Sequence, residues 1–280
     1  MRDLPIGVFD SGVGGLTVLR ALRGALPAED FIYLGDTARL PYGTKSRDSV
    51  VRYSVQATAE LVRHDIKCLV IACNTASAVA LPKLRRQFGS LPVIGVLEPG
   101  AQAVCAASKN GRIAVIATEG TVQGGAYQAA IHALRPEARV IAQACSLFVA
   151  LAEEGWTEGP LVEGIVRRYL DPIFAGPPEG HPDSIVLGCT HFPVLKPVIR
   201  AVVGPDVAIV DSAETTAHVV AELLARTDTT RDGARRGAVK LMATDGRERF
   251  ARVGSVFFGE ALGASAIEIV DLGSGVLPSS

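Results

Sequence analysis

Two stretches of the chain repeat one plan. Leu69-Val-Ile-Ala-Cys-Asn-Thr-Ala-Ser77 and Ile185-Val-Leu-Gly-Cys-Thr-His-Phe-Pro193 each run through an apolar segment and one small residue to a cysteine, then into polar residues. Upstream, Ile6-Gly-Val-Phe-Asp-Ser11 and Ile113-Ala-Val-Ile-Ala-Thr118 correspond in the same way. Each is followed by a glycine pair, Gly14-Gly15 and Gly124-Gly125, so the two halves keep nearly the same internal spacing. Two related lobes facing each other would put Cys73 and Cys189 on either side of one cleft. Each cysteine precedes an expected helix start, where unpaired N–H groups and the helix dipole favour an anion and should lower a thiol pKa. Opposed thiols, one ionised and one protonated, suit a reaction in which one takes a proton from a carbon centre and the other returns a proton on the opposite face. Buried cysteine also serves as a small apolar residue, and Cys68, Cys105 and Cys145 are read that way.

The elements that must position these groups alternate along the chain. Strands are expected at Ile6–Phe9, Phe31–Leu34, Cys68–Ala72, Val93–Val96, Ile113–Ile116, Arg139–Ala142, Ile185–Leu187 and Ala208–Val210. Helical patterns fall between them, among them Ser46–His64, Val122–Leu134, Pro160–Leu170 and Ala213–Ala225. Apolar runs separated by helices indicate parallel strands buried on both faces. The fold class expected is therefore α/β: two similar lobes related by pseudo-two-fold symmetry, each a mainly parallel sheet flanked by helices, with the active site between them. The lobes are drawn as residues 1–96 with 210–280, and 97–209. In such sheets ligands bind beyond the carboxyl ends of the strands, and the polar signatures fall there: Asp10-Ser11, Asp36-Thr37, Cys73-Asn74-Thr75 and Cys189-Thr190-His191.

Several chemistries are disfavoured. Gly12-Val-Gly-Gly-Leu-Thr17 is neither GxGxxG nor a P-loop, although a glycine turn opening a helix offers N–H groups to a carboxylate as well as to a phosphate. Pro41-Tyr42-Gly43 reads as a turn, structural or presenting N–H groups to a ligand. Cys189-x-His191 alternates faces along an extended chain, and no CxxC or HxxxH pair accompanies it, so no metal is expected. A net charge of −1 in 280 residues argues against nucleic acid as partner. The dense basic stretch Arg231 to Arg236 reads as a solvated loop. No apolar run is long enough for a membrane span. Met1–Pro5 lacks the pattern of a secretory leader, and five cysteines without close spacing do not make a disulfide framework. The expectation is a cytoplasmic protein with reduced thiols.

Taken together, Gly7–Thr17, Tyr33–Gly43, Ile71–Ser77, Leu97–Gly100, Leu187–His191, Val210–Glu214 and Thr244-Asp245 resemble the glutamate racemases, within the aspartate/glutamate racemase superfamily, over almost the whole chain. The resemblance implies cofactor-free, two-base interconversion of L- and D-glutamate, supplying D-glutamate for peptidoglycan. It implies that Cys73 takes the α-proton of D-glutamate and Cys189 that of L-glutamate, with Asp10 and His191 assisting. Asp10, Ser11, Tyr42, Gly43, Asn74, Thr75, Thr190 and His191 would hold the substrate. Glu153 matches a family acid placed near His191, or is a helix-surface carboxylate. Ser146 departs from the family, which usually has proline there. A homodimer is the expected assembly. Other readings stay open: a racemase or decarboxylase of the same superfamily acting on another substrate, a thiol hydrolase using a Cys–His pair, or a two-lobed binding protein.

Overall fold

The computed structural model describes residues 1–233 and 235–273. The chain begins with alternating strands and helices: β1 (Ile6–Asp10), α1 (Leu16–Ala25), β2 (Phe31–Gly35), α2 (Arg47–Val62), β3 (Cys68–Ile71), α3 (Asn74–Gln87) and β4 (Val93–Gly95). It continues through α4 (Leu97–Ala107), β5 (Arg112–Ala117), α5 (Glu119–Gln123), α6 (Ala126–Leu134), β6 (Arg139–Ala144), α7 (Ser146–Glu153), α8 (Pro160–Leu170), β7 (Ser184–Gly188), α9 (Lys196–Val203) and β8 (Ala208–Asp211). The last elements are α10 (Ser212–Arg226), β9 (Val239–Ala243), α11 (Arg247–Phe258) and β10 (Ile267–Ile269).

These strands form two parallel sheets. One has the order β10-β9-β2-β1-β3-β4 and the other β6-β5-β7-β8. The run β2-β1-β3-β4 is matched strand for strand by β6-β5-β7-β8, so the internal repeat read from the cysteine segments is a repeat of topology. In both, the strand ending at a cysteine pairs with the first strand of its half: Ile6 lies opposite Cys68, and Ile113 opposite Ser184.

Strand periodicity of two sends successive side chains to opposite faces. Ile6, Val8, Cys68 and Val70 pack with Leu16, Leu19 and Leu22 of α1, Val220 and Leu224 of α10, and Phe250 and Phe257 of α11. Phe9, Leu69 and Ile71 turn the other way, onto Val50, Ala57 and Leu61 of α2 and Leu81 and Leu84 of α3. The second sheet repeats the scheme. Ile116, Ile185 and Leu187 meet α7, α8 and α9, while Val115 and Val186 meet Val104 of α4 and Ile131 of α6. Each fully buried Val, Leu or Phe contributes about 2 kcal/mol of transfer free energy. Cys73 and Cys189 continue this alternation past the strand ends, in phase with Ile71 and Leu187.

The eight expected strands are all present. One helix differs: the pattern over Val122–Leu134 is broken into α5 and α6 at Gly124-Gly125, where Gly125 adopts φ 64°, a conformation that ends a helix at little cost only in glycine. β9 and β10 were not expected. Val239-Lys-Leu-Met-Ala243 and Ile267-Glu-Ile269 are short and interrupted by a charged residue, Lys240 and Glu268, at a margin of the sheet that keeps a partly solvated face. The basic stretch is neutralised by neighbours: Arg231 and Arg235 meet Asp30, and Arg236 meets Glu260; Ala234 lies outside the described residues. The segment 274–280 of the expected first lobe also lies outside them. Among the described residues no helix is long and apolar enough to cross a membrane.

Candidate active site

The turn after β1 is shaped by what it must approach. Asp10 is 1% exposed, and its Oδ2 accepts the Gly12 N–H at 2.9 Å. A Cβ on Gly15 would sit 2.5 Å from Asp10 Cβ, and one on Gly14 would sit 2.5 Å from the His191 ring. The glycine pair therefore lets the backbone press against both side chains. Burial raises the Asp10 pKa, opposed by His191 and the N–H groups of Gly15, Gly12 and Ser11. Its other oxygen, Oδ1, is buried without a hydrogen-bond partner among the described residues.

Cys73 ends the β3 segment as the N-cap of α3, its Sγ accepting the Ala76 N–H at 3.4 Å. The helix start does not lower this thiol as expected. Burial and the nearby Asp10 outweigh the hydrogen bonds from Ser11 and Ala76, and the pKa is pushed up to about 12. Asn74 Oδ1 accepts from Tyr127 O–H at 2.7 Å, while its Nδ2 is buried and unpartnered among the described residues. An amide donor in that state is ready for a ligand oxygen.

Cys189 follows β7 and is succeeded by a 3-10 turn, Phe192–Leu195, before α9 begins, so it lacks the α-helical N-terminus expected for it. Its Sγ lies instead 3.8 Å from His191 Nδ1. The far nitrogen, Nε2, is 3.2 Å from Glu153 Oε1 at the end of α7. Burial pulls the His191 pKa down, but hydrogen bonds to Cys189 and Glu153 win and hold it up at about 10. The His191 contact lowers that of Glu153 against its burial, with Arg249 assisting. Phe257 packs edge-on against the imidazole with ring centres 5.0 Å apart, and Thr17 Oγ1 donates to the Thr190 carbonyl at 3.0 Å.

Both thiols open onto one cavity of about 190 Å³, one supplied by each sheet. They are 5% and 6% exposed, so little water reaches either. Ser11, Tyr42, Gly43, Asn74, Thr75, Thr190 and His191 share its wall. Asp10 and Glu153 stand behind the wall, against the turn at Gly12 and against His191. The Tyr42-Gly43 segment is anchored by the buried Asp36 carboxylate, which accepts from Tyr42 O–H, from Arg39 Nε at 2.8 Å and from Thr244 O–H at 3.0 Å. Burial and Asp36 both raise the Tyr42 pKa, so its hydroxyl stays protonated.

Sequence reasoning missed Thr118, Glu119, Ser146 and Val149, which complete the wall from the second half. Thr75 Oγ1 reaches Thr118 Oγ1 at 3.4 Å and Thr121 Oγ1 at 3.2 Å across the junction. The signal for Thr118 was available: in the repeat it occupies the position of Ser11. Among the described residues no group of three or more His, Cys, Asp or Glu side chains is arranged to hold a metal ion. The cavity offers buried hydrogen-bond donors and two sulfur atoms.

Known proteins place this site in context. The family model described as Asp/Glu/Hydantoin racemase matches residues 6–220. A glutamate racemase of Geobacter metallireducens is 50% identical over 92% of this chain and 94% of its own length. The crystal structure of glutamate racemase from Francisella tularensis in complex with D-glutamate superposes with a TM-score of 0.89 at 34% identity, over 98% of this chain and all of that one. That of Thermus thermophilus, in complex with beta-chloro-D-alanine, gives 0.85 at 41% identity, over 97% and 98%. The chain belongs to the Asp/Glu/Hydantoin racemase family and, within it, to the glutamate racemases, which are amino-acid isomerases.

Proposed function

We propose that the chain inverts glutamate by a two-thiol reaction that uses no cofactor, with Cys73 and Cys189 exchanging protons with Cα from opposite faces. The observation that carries this is the pair of nearly buried sulfur atoms brought to one small cavity by equivalent strand ends of a repeated fold.

In one direction Cys73, which burial holds protonated at rest, acts through its minor thiolate form and takes the α-proton of D-glutamate. The bonding pair stays on Cα and spreads into the α-carboxylate, and the Cys189 thiol delivers its proton to the other face. The two sulfur atoms leave with their protonation states exchanged, and the reverse reaction starts from that state. An ordinary thiol, with pKa about 8.5, is a weak base for a carbon acid. The site must therefore stabilise the carbanion with donors fixed before reaction in a space closed to water. Asn74 Nδ2 and the hydroxyls of Ser11, Thr75 and Thr190 are such donors. Tyr42 and Gly43 close the cavity from the loop that Asp36 anchors. Asp10 tunes Cys73 and favours a charged α-ammonium nearby; His191, backed by Glu153, does the corresponding work for Cys189.

In this reading the two lobes are residues 1–96 with 210–280, and 97–209, and the cavity closes between them. The D-glutamate formed serves peptidoglycan synthesis in the cytoplasm, and the protein acts as a homodimer. The test is incubation of each pure glutamate enantiomer in heavy water without added cofactor. Deuterium should appear at Cα as optical rotation decays to zero. Inversion with the original hydrogen retained would exclude the reaction, and an acyl adduct on one cysteine would point to a hydrolase.

A further inference from the structure

Glu153 uses its two oxygens on different halves of the molecule. Oε1 lies 3.2 Å from His191 Nε2, and Oε2 accepts from Arg249 Nη2 at 2.6 Å. Cys189 and His191 follow β7 of the four-stranded sheet, and Glu153 ends α7, which packs against that sheet. Arg249 is carried by α11, whose Phe250, Val253 and Phe257 are part of the core beneath the six-stranded sheet. The same helix touches this chain of groups a second time, where Phe257 meets the imidazole edge-on. A carboxylate held at one oxygen can still turn about its terminal bond. A guanidinium on the second oxygen removes that freedom, because its donors are planar and directional.

We propose that Arg249 is a positioning residue: reaching across the lobe junction, it fixes Glu153 Oε2 so that Oε1 aims at His191, and so makes the placement of the imidazole beside Cys189 depend on the contact between lobes. This rests on the two-thiol reading above. Arg249 has a side chain 54% exposed, so truncation leaves water rather than a cavity in its place.

The test uses the full chain and both enantiomers deuterated at Cα. Enantiomers have equal free energy, so kcat/KM must fall equally in both directions; the side affected is read from isotope effects. Arg249→Ala should lower kcat/KM about tenfold, the size of one charge-assisted hydrogen bond. The deuterium effect should rise with L-glutamate, where the Cys189 step comes first, and fall with D-glutamate. Arg249→Lys, which keeps a charge but not the fork, should recover part of the loss. Arg247→Ala, an exposed arginine on the same helix, should leave rates unchanged. Isotope effects that stay unchanged, that shift the same way with both enantiomers, or that show an asymmetry of opposite sign each overturn the proposal. If Arg249→Ala does not fold, Arg249→Gln is read by the same criteria. Wild-type protein that incorporates no deuterium at Cα would remove the two-thiol reading itself. Normal incorporation with a silent Arg249 removes only this inference.

Discussion

The ends of β3 and β7 occupy equivalent places in the repeat, and each delivers a thiol to the cavity, but the surroundings of the two differ. At Cys73 the neighbours are a fourteen-residue helix whose N-terminus the sulfur caps, the buried carboxyl of Asp10 and the hydroxyl of Ser11. Among the described residues no imidazole hydrogen-bonds to this sulfur. At Cys189 the helix is replaced by a 3-10 turn, and the sulfur faces an imidazole that is itself backed by a carboxylate. Burial and an acidic neighbour hold the first sulfur protonated near neutrality; the second lies beside an imidazole whose own pKa is held up at about 10. A repeated scaffold thus places two sulfur atoms alike while the residues beside them differ.

If both halves are needed, removing either sulfur should be equally damaging. Cys73→Ala and Cys189→Ala should each lose about ten-thousandfold in racemisation, the scale of a positioned acid or base, as followed by circular dichroism of glutamate. Exchange of the α-hydrogen on a single enantiomer can survive in each. Normal racemisation by either variant would break the comparison and the mechanism with it.

The glycine pair separates the halves more finely. An added methyl at position 14 pushes on the end of the His191 side chain, whereas one at 15 pushes on Asp10 Cβ and Ala72 Cβ, which belong to strand ends that cannot yield. Gly14→Ala should lower kcat about a hundredfold, the cost of misplacing a reacting group by about 1 Å, with little change in melting temperature. Gly15→Ala should instead destabilise the fold by about 1–3 kcal/mol through overpacking, read by urea unfolding. The same outcome for both would mean that the turn does not discriminate between the two sides.

Asp10 offers a smaller effect confined to the Cys73 side. Its negative charge raises the Cys73 pKa. Asp10→Asn in a Cys189→Ala background should move alkylation of Cys73 by iodoacetamide to lower pH by about one unit. A profile unmoved by that change would leave burial as the sole cause of the raised pKa.

What the sequence could reveal follows from the range of the forces involved. Strand–helix alternation, the repeat and the strand-end location of both cysteines are local patterns, and all were legible. The electrostatics of the thiols were not. A helix start after Cys73 was readable, but the burial that overrides it comes from residues far apart in the chain. The 3-10 turn after Cys189 gives way to α9 at Pro197, which has no N–H to donate to the Pro193 carbonyl, so a regular α-helix cannot run unbroken from Phe192. Thr118 could have been inferred from its equivalence to Ser11. Arg249 could not, because nothing local to α11 marks the one arginine that meets Glu153.

The smallest effect concerns stability. In the folded protein His191 has its pKa raised from 6.5 to about 10. A raised pKa means that the folded state holds the proton more tightly, so this stabilisation is complete below pH 6.5 and is lost as pH rises toward 10. Glu153, whose pKa is lowered from 4.5, supplies the same interaction from its other end, present above pH 4.5 and lost as pH falls. The melting-temperature difference between wild type and His191→Asn should therefore be greatest between about pH 4.5 and 6.5 and decline on both sides. In a chain of this size each kcal/mol lost corresponds to about 3 °C. Cys68, Cys73 and Cys145, which burial pushes up to about 12, weaken both proteins alike above pH 9 and cancel in the difference. A difference that stays level from pH 5 to 9 would mean that His191 is not held as a cation, and the contrast between the two thiol environments would reduce to their packing.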